Sequence, residues 1–227
     1  MKKLLLASIL AFSALSFSAK AQNIQLLYDT SKGCITSTVE MFRPDSFGST
    51  YFFVDLDYNP KMIGAYWEIS REFCFWQDTK MSWLSAHVEY NGGLSTAFSS
   101  FNNCWLGGLT YSGHSKDFSK TWSLSALYKA IPTHPQAHNF QITGVWGINF
   151  LKGWCTFSGF FDFWREVKTY QNTKFVFMSE PQFWVNLNNI KGWEKINLSI
   201  GGEVELTANF YNKGFSAQPA VGAKWTF

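Results

Sequence analysis

Beyond residue 21 apolar and polar residues alternate with a period of two, which predicts β-strands that present different chemistry on their two sides. The segment Ile196 to Phe210 is the clearest case. Ile196, Leu198, Ile200, Val204, Leu206, Ala208 and Phe210 share one face; Asn197, Ser199, Glu203, Glu205, Thr207 and Asn209 share the other. Leu84 to Asn91 and Phe140 to Phe150 repeat the pattern. Turn chemistry divides the chain into twelve predicted strands: Gln25 to Thr30, Ile35 to Phe42, Thr50 to Asp57, Gly64 to Trp76, Leu84 to Gly92, Cys104 to Ser112, Thr121 to Ala130, Phe140 to Phe150, Thr156 to Glu166, Phe175 to Leu187, Ile196 to Phe210 and Pro219 to Phe227. An even count returns both ends to one side, as a single-chain membrane barrel requires.

The two ends sharpen that expectation. In the closing segment Val221, Ala223, Trp225 and Phe227 alternate with Ala220, Gly222, Lys224 and Thr226. An amphipathic last strand ending on an aromatic suits an outer-membrane β-barrel, and Trp225 and Phe227 are the expected barrel-assembly signal. Residues 1–21 combine Lys2 and Lys3, an apolar run from Leu4 to about Phe17, and the small-residue site Ala19-Lys20-Ala21. This reads as a cleaved signal peptide for Sec-type export, leaving 22–227 as a single barrel domain. Past residue 21 no apolar run reaches the 18 or so residues of a membrane helix, so strands would have to do the crossing.

Composition adds little that contradicts this. With Lys2, Lys3 and Lys20 gone, 16 basic residues face 16 acidic ones, so no basic footprint for nucleic acid is present. Aromatics make up 19% of the chain, yet mean hydropathy is only -0.10, because polar residues alternate with the rings. A soluble secreted barrel would reverse the faces. Rings near predicted strand ends, such as Trp67, Phe75, Trp105, Trp122 and Trp225, favour the membrane version with interfacial girdles.

Assigning faces by alternation puts Glu40, Asp55, Asp57, Glu68, Glu72, Glu89, Asp162, Glu166, Glu180, Glu203 and Glu205 inside, with Lys129 and Lys224 as counter-charges. Tyr51, Phe53, Tyr66, Phe160, Trp164 and Trp184 fall on the same polar face. Rings beside carboxylates can stack on a base or sugar while the carboxylates accept hydrogen bonds. A filled polar plug fits the same pattern. If the C-terminus is periplasmic, the longer connectors 93–103, 131–139 and 167–174 fall on the outer side and the short 151–155 turn inside.

Catalysis has no comparable support, and the chain is expected not to be an enzyme. Ser85, His87 and Glu89 share one strand face, but same-face neighbours lie nearly 7 Å apart. Neither G-x-S-x-G nor H-E-x-x-H occurs. Cys34, Cys74, Cys104 and Cys155 are expected as free thiols, because same-level pairs sit on separated strands. Their spacing suggests no metal site, and no cofactor is implied.

Several stretches carry a family resemblance: Gly48-Ser49-Thr50-Tyr51-Phe52-Phe53-Val54-Asp55, Glu180-Pro181-Gln182-Phe183-Trp184, Gly201-Gly202-Glu203-Val204-Glu205 and Lys224-Trp225-Thr226-Phe227. The chain resembles the Tsx-type nucleoside channels of Gram-negative outer membranes and, more closely, an uncharacterised family related to them. The resemblance spans about Ile24 to Phe227. It implies a monomeric twelve-stranded barrel, seated in outer-membrane lipid by the barrel-assembly machinery, whose narrow lumen passes small polar solutes such as nucleosides. On these motifs it assigns Tyr51, Phe53, Asp55, Glu180, Trp184, Glu203 and Glu205 to solute binding; Asp57, Glu68, Glu89 and Lys224 join them from the lumen face.

Overall fold

The computed structural model describes residues 22–59, 62–96, 99–100 and 103–227; the expected signal peptide lies outside them. Among the described residues fourteen strands form: β1 (Gln22–Asp29), β2 (Cys34–Asp45), β3 (Gly48–Asn59), β4 (Met62–Phe73), β5 (Leu84–Ser95), β6 (Ser99–Ser100), β7 (Cys104–His114), β8 (Lys120–Ala130), β9 (His138–Phe150), β10 (Cys155–Lys168), β11 (Thr173–Ser179), β12 (Gln182–Asn186), β13 (Leu198–Ala208) and β14 (Phe215–Thr226). All pairings are antiparallel, and β14 pairs with β1, so the sheet closes on itself and leaves no free edge. β6 only extends the end of β5. β11 and β12 follow one another along one line between β10 and β13. The wall is therefore a closed antiparallel barrel of twelve staves, a transmembrane β-barrel.

Period-two alternation sorts the side chains as the sequence predicts. Ile24, Leu26, Val39, Ile63, Ile69, Val88, Leu94, Leu109, Leu124, Ile200 and Val221 all point outward and stay exposed, forming the apolar band that lipid covers. Aromatics bracket this band. Near the termini Trp83, Tyr111 and Trp122 meet in sequence, edge-on and then tilted, with centroids 4.9 Å apart at each step. Toward the opposite rim lie Tyr90 with Trp105, at 4.7 Å, and the run Phe140, Phe163, Phe175. Trp225 and Phe227 belong to the terminus-side belt, exposed on the outer surface.

Four details depart from the expected elements. The tenth stave breaks at Glu180 and Pro181, because Pro181 has no N–H for a ladder; Pro181 instead accepts a bond from Val204 through its carbonyl. The long alternating run near the C-terminus forms a strand only over Leu198–Ala208, since Trp193 and Ile196 turn back on themselves through Ile196 N–H to Trp193 O. β10 continues to Lys168, where a connector was expected. Finally, the longest connectors, 74–83 and 187–197, lie at the end bearing the termini, so long loops are not confined to the other side.

Two glycines in the wall let neighbouring backbones approach closely. Gly201 and Gly222 are register partners, flanked in the same row by Trp184 and Leu27. A Cβ on Gly201 would stand 1.9 Å from the Phe183 carbonyl oxygen, and one on Gly222 1.9 Å from that of Leu26. Neither position has room for a side chain without moving the neighbouring backbone. Trp184 packs with Leu27 and Ala220.

Candidate functional site

The lumen has two unlike halves. On β5, β7, β8 and β9 the inward side chains Ser85, His87, Glu89, Asn91, Leu106, Thr110, Ser125, Leu127, Lys129 and Gln141 are all buried. Glu72 from β4 organises this half. Its carboxylate accepts hydrogen bonds from Ser85 Oγ and Thr110 Oγ1, the latter at 2.9 Å, and pairs with His87 Nδ1 at 2.6 Å. The other His87 nitrogen, Nε2, meets Glu89 Oε2 at 3.1 Å. Both ring nitrogens thus face carboxylates, the arrangement of an imidazolium held between two anions. The bridging Glu72 depends on strand register, which places it opposite His87. Cys104, Leu106 and Leu127 add an apolar patch to the same half.

On the other side the inward side chains are only half-buried. Tyr51, Phe53, Asp55 and Asp57 of β3 and Tyr66 and Glu68 of β4 all fall there. Tyr51, Phe53 and Tyr66 form a ladder of tilted rings with centroids 6.1 and 6.0 Å apart. Tyr66 donates to Glu68 Oε1 at 2.6 Å, as does Asn91 Nδ2 at 3.0 Å. Around Tyr51 the carboxylates of Glu40, Glu68 and Asp55 act from the neighbouring wall and Glu180 from the break in the tenth stave, so the ladder looks onto acid from both sides. Glu203 accepts from Gln182 Nε2 at 3.0 Å. Among the described residues, Asp55, Glu68, Glu180 and Glu203 have no salt-bridge partner.

All eleven candidate lumen residues therefore point inward, but they do not share one role. Trp184 is fully buried, and the Lys224 ammonium occupies its ring face at 4.5 Å from the centroid. Trp164 is likewise covered by Lys129, at 4.3 Å. These two rings hold lysines and offer no face to a solute, which corrects the expectation that they stack on one. Glu89 is committed to His87. The residues brought together with free surface are Tyr51, Phe53, Asp55, Glu68, Glu180 and Glu203.

At the rim away from the termini, charges were missed by sequence reasoning. Tyr211, in the 209–214 connector, donates to Glu205 Oε2 at 3.2 Å. Burial, followed by the Glu205 charge, raises its phenol pKa. Lys32, in the 30–33 turn, pairs with Asp29 at 3.4 Å. Burial opposes its charge, but Glu205, Asp29 and Asp57 outweigh that and raise its pKa. Lys168 reaches Glu166 at 3.7 Å and donates to the Phe210 carbonyl at 2.6 Å. Their common signal was an inward parity extended past the predicted strand ends. All four cysteines are free thiols, as expected.

Among solved structures the barrel is similar to the KdgM porin in complex with disordered oligogalacturonate, with 12% sequence identity, 91% of this chain and 99% of that one covered, and a TM-score of 0.51. It is also similar to the NanC porin in a rhombohedral crystal form, with 7% identity, 91% and 100% covered, and a TM-score of 0.59. At such identities the likeness is one of fold. No curated protein sequence matches the chain. A family model described as a domain of unknown function, DUF5020, matches residues 21–227, and the chain belongs to that family.

Proposed function

We propose that the protein is an outer-membrane channel for passive diffusion of small polar solutes, nucleoside-like in having a flat ring and several hydrogen-bond donors. The observation that carries this reading is the half-buried Tyr51, Phe53, Tyr66 ladder lying among Asp55, Glu68, Glu180 and Glu203, none of which makes a salt bridge among the described residues. A planar base stacks on such rings with little orientational demand, while hydroxyl and amino groups donate to Asp55, Glu68, Glu180 and Glu203. Contacts of this kind are each weak, so a solute can enter and also leave. The lumen contributes binding and no bond chemistry. The chain acts as a monomer after Sec-type export, with Trp225 and Phe227 read by the barrel-assembly machinery.

The acidic lining also separates this chain from its structural neighbour. Oligogalacturonate, the ligand named for the KdgM porin, is a string of carboxylates. Here Asp55, Glu68, Glu180 and Glu203 would repel it. Purified protein in liposomes, compared by swelling rate in nucleosides, sugars and amino acids, tests the reading. Nucleosides are expected to enter fastest, and Glu203→Ala with Glu205→Ala to narrow their advantage. A second reading, a closed barrel with a structural or adhesive role, draws on the buried half around Glu72 and His87; absence of swelling in any solute would favour it.

A further inference from the structure

Two lysines of the inner wall lie over tryptophan rings, and they are held differently. Lys129 Nζ, above Trp164, also donates to Gln141 Oε1 at 2.6 Å. Lys224, above Trp184, makes no hydrogen bond and no salt bridge among the described residues. Its one direct contact of that kind is the ring, with Glu40 acting on it through space.

An alternative position for that ammonium stands beside it. Lys224 is the register partner of Gln25. The Gln25 amide nitrogen donates to Glu40 Oε2 and to Asn23 Oδ1, each at 3.1 Å. Those two donations fix the amide's orientation, because the reversed amide would turn its oxygen toward the Glu40 carboxylate. Gln25 Oε1 is left without a donor in a side chain that is 1% exposed. A buried acceptor of this kind is normally satisfied. Opposed residues on antiparallel strands have Cβ atoms about 5 Å apart, which a lysine spans easily.

We infer that Trp184 is a positioning residue that seats Lys224 on its ring, away from a second seat formed by Gln25 Oε1 and Glu40, and thereby keeps the lumen cation-preferring. In the first seat Lys224 acts on Glu40 only through space and makes no salt bridge with it, so the Glu40 carboxylate still faces the lumen with Asp55 and Glu203. In the second, the ammonium pairs with Glu40 directly, which cancels the local field of that carboxylate while the net charge of the lumen stays the same. The cation–π contact thus holds a charge in place without placing it against an anion. This rests on the channel reading above and adds the pair of residues that sets its ion preference.

Reversal potentials in planar bilayers under a KCl gradient test it. Lys224→Met removes the cation and is expected to raise the potassium-to-chloride permeability ratio about threefold, since a unit charge ~7 Å away in water interacts by about RT. Trp184→Leu releases the lysine toward Glu40 and is expected to lower the ratio by less than that factor, because the charge is moved and not removed. The double variant should match Lys224→Met alone. A Trp184→Leu shift that persists without Lys224, or no shift at all, overturns the inference. Heat-dependent gel mobility reports whether each variant has folded. If Trp184→Leu does not assemble, Trp184→Phe keeps a ring with a weaker attraction and should shift the ratio less in the same direction. Gln25→Leu removes the buried acceptor of the second seat and should reduce the Trp184→Leu shift while leaving that of Lys224→Met. A wild-type barrel that inserts without conducting overturns the channel reading together with this one; a conducting wild type with an unshifted Trp184 variant overturns this one alone.

Discussion

Replacing Glu72 by Leu should unfold the buried half of the lumen at a cost that its contacts allow one to estimate. The carboxylate accepts from Ser85 and Thr110 and pairs with His87. These three are 4%, 2% and 7% exposed, so none can turn to water when the acceptor goes. All three are bonds to a charged group, each worth about 1.5–3 kcal/mol net, but Thr110 keeps Ser125 Oγ as a partner at 2.8 Å, so two donors are left stranded. The loss should therefore total about 3–5 kcal/mol, the range found when one partner of a buried pair is removed. Glu89 still holds His87 Nε2, which keeps the figure from rising further. Urea unfolding in detergent micelles, followed by tryptophan fluorescence and gel mobility, measures it. His87→Leu in the Glu72→Leu background should cost less than the sum of the two by about 2 kcal/mol, since the stranded imidazole goes too. A Glu72→Leu loss under about 1 kcal/mol, or strict additivity, would refute the network as drawn.

Gly201→Val should impair folding by about 1–3 kcal/mol or more, because the obstacle is the Phe183 carbonyl, which cannot swing aside as a side chain can; equal urea midpoints for variant and wild type would contradict it. Tyr51→Ala with Tyr66→Ala should slow nucleoside entry at least threefold while leaving glycerol swelling unchanged, by analogy with the roughly 1–3 kcal/mol that base–aromatic stacking supplies. Asp117, in the turn 115–119, is held near pKa 2 by hydrogen bonds from Ser115 and Ser119. Its folded value is depressed, so the turn's order is present above pH ~4 and lost as pH falls through 2. An NMR titration of the Asp117 carboxyl with a midpoint near 4 would show those bonds are not made. Removing Trp225 to Phe227 should leave the chain unassembled in the periplasm, read by its extraction without detergent.

Much of the barrel was legible because strand alternation has a strict period: once one residue of a stave faces lipid, the faces of the rest follow. That is why Tyr51, Asp55, Glu68, Glu180 and Glu203 could be placed inside from sequence. Pro181 within a predicted strand was a readable warning of the break in the tenth stave. Other features lie beyond any periodic rule. The cross-strand register that brings Glu72 to His87 depends on the length of the 74–83 connector. The lysines over Trp164 and Trp184 reflect where long flexible side chains come to rest, and parity says only that they point inward. Leu106 and Leu127 look like errors in a polar lining until their packing with Cys104 is seen.

Uptake of labelled adenosine and adenosine monophosphate into proteoliposomes carrying the wild-type protein tests the central claim most directly. Stacking on Tyr51, Phe53 and Tyr66 is available to both, but only the nucleotide brings negative charge to Asp55, Glu68, Glu180 and Glu203. Adenosine is predicted to enter at least tenfold faster, about 1.4 kcal/mol of discrimination. Equal rates, or entry of neither, would contradict the account.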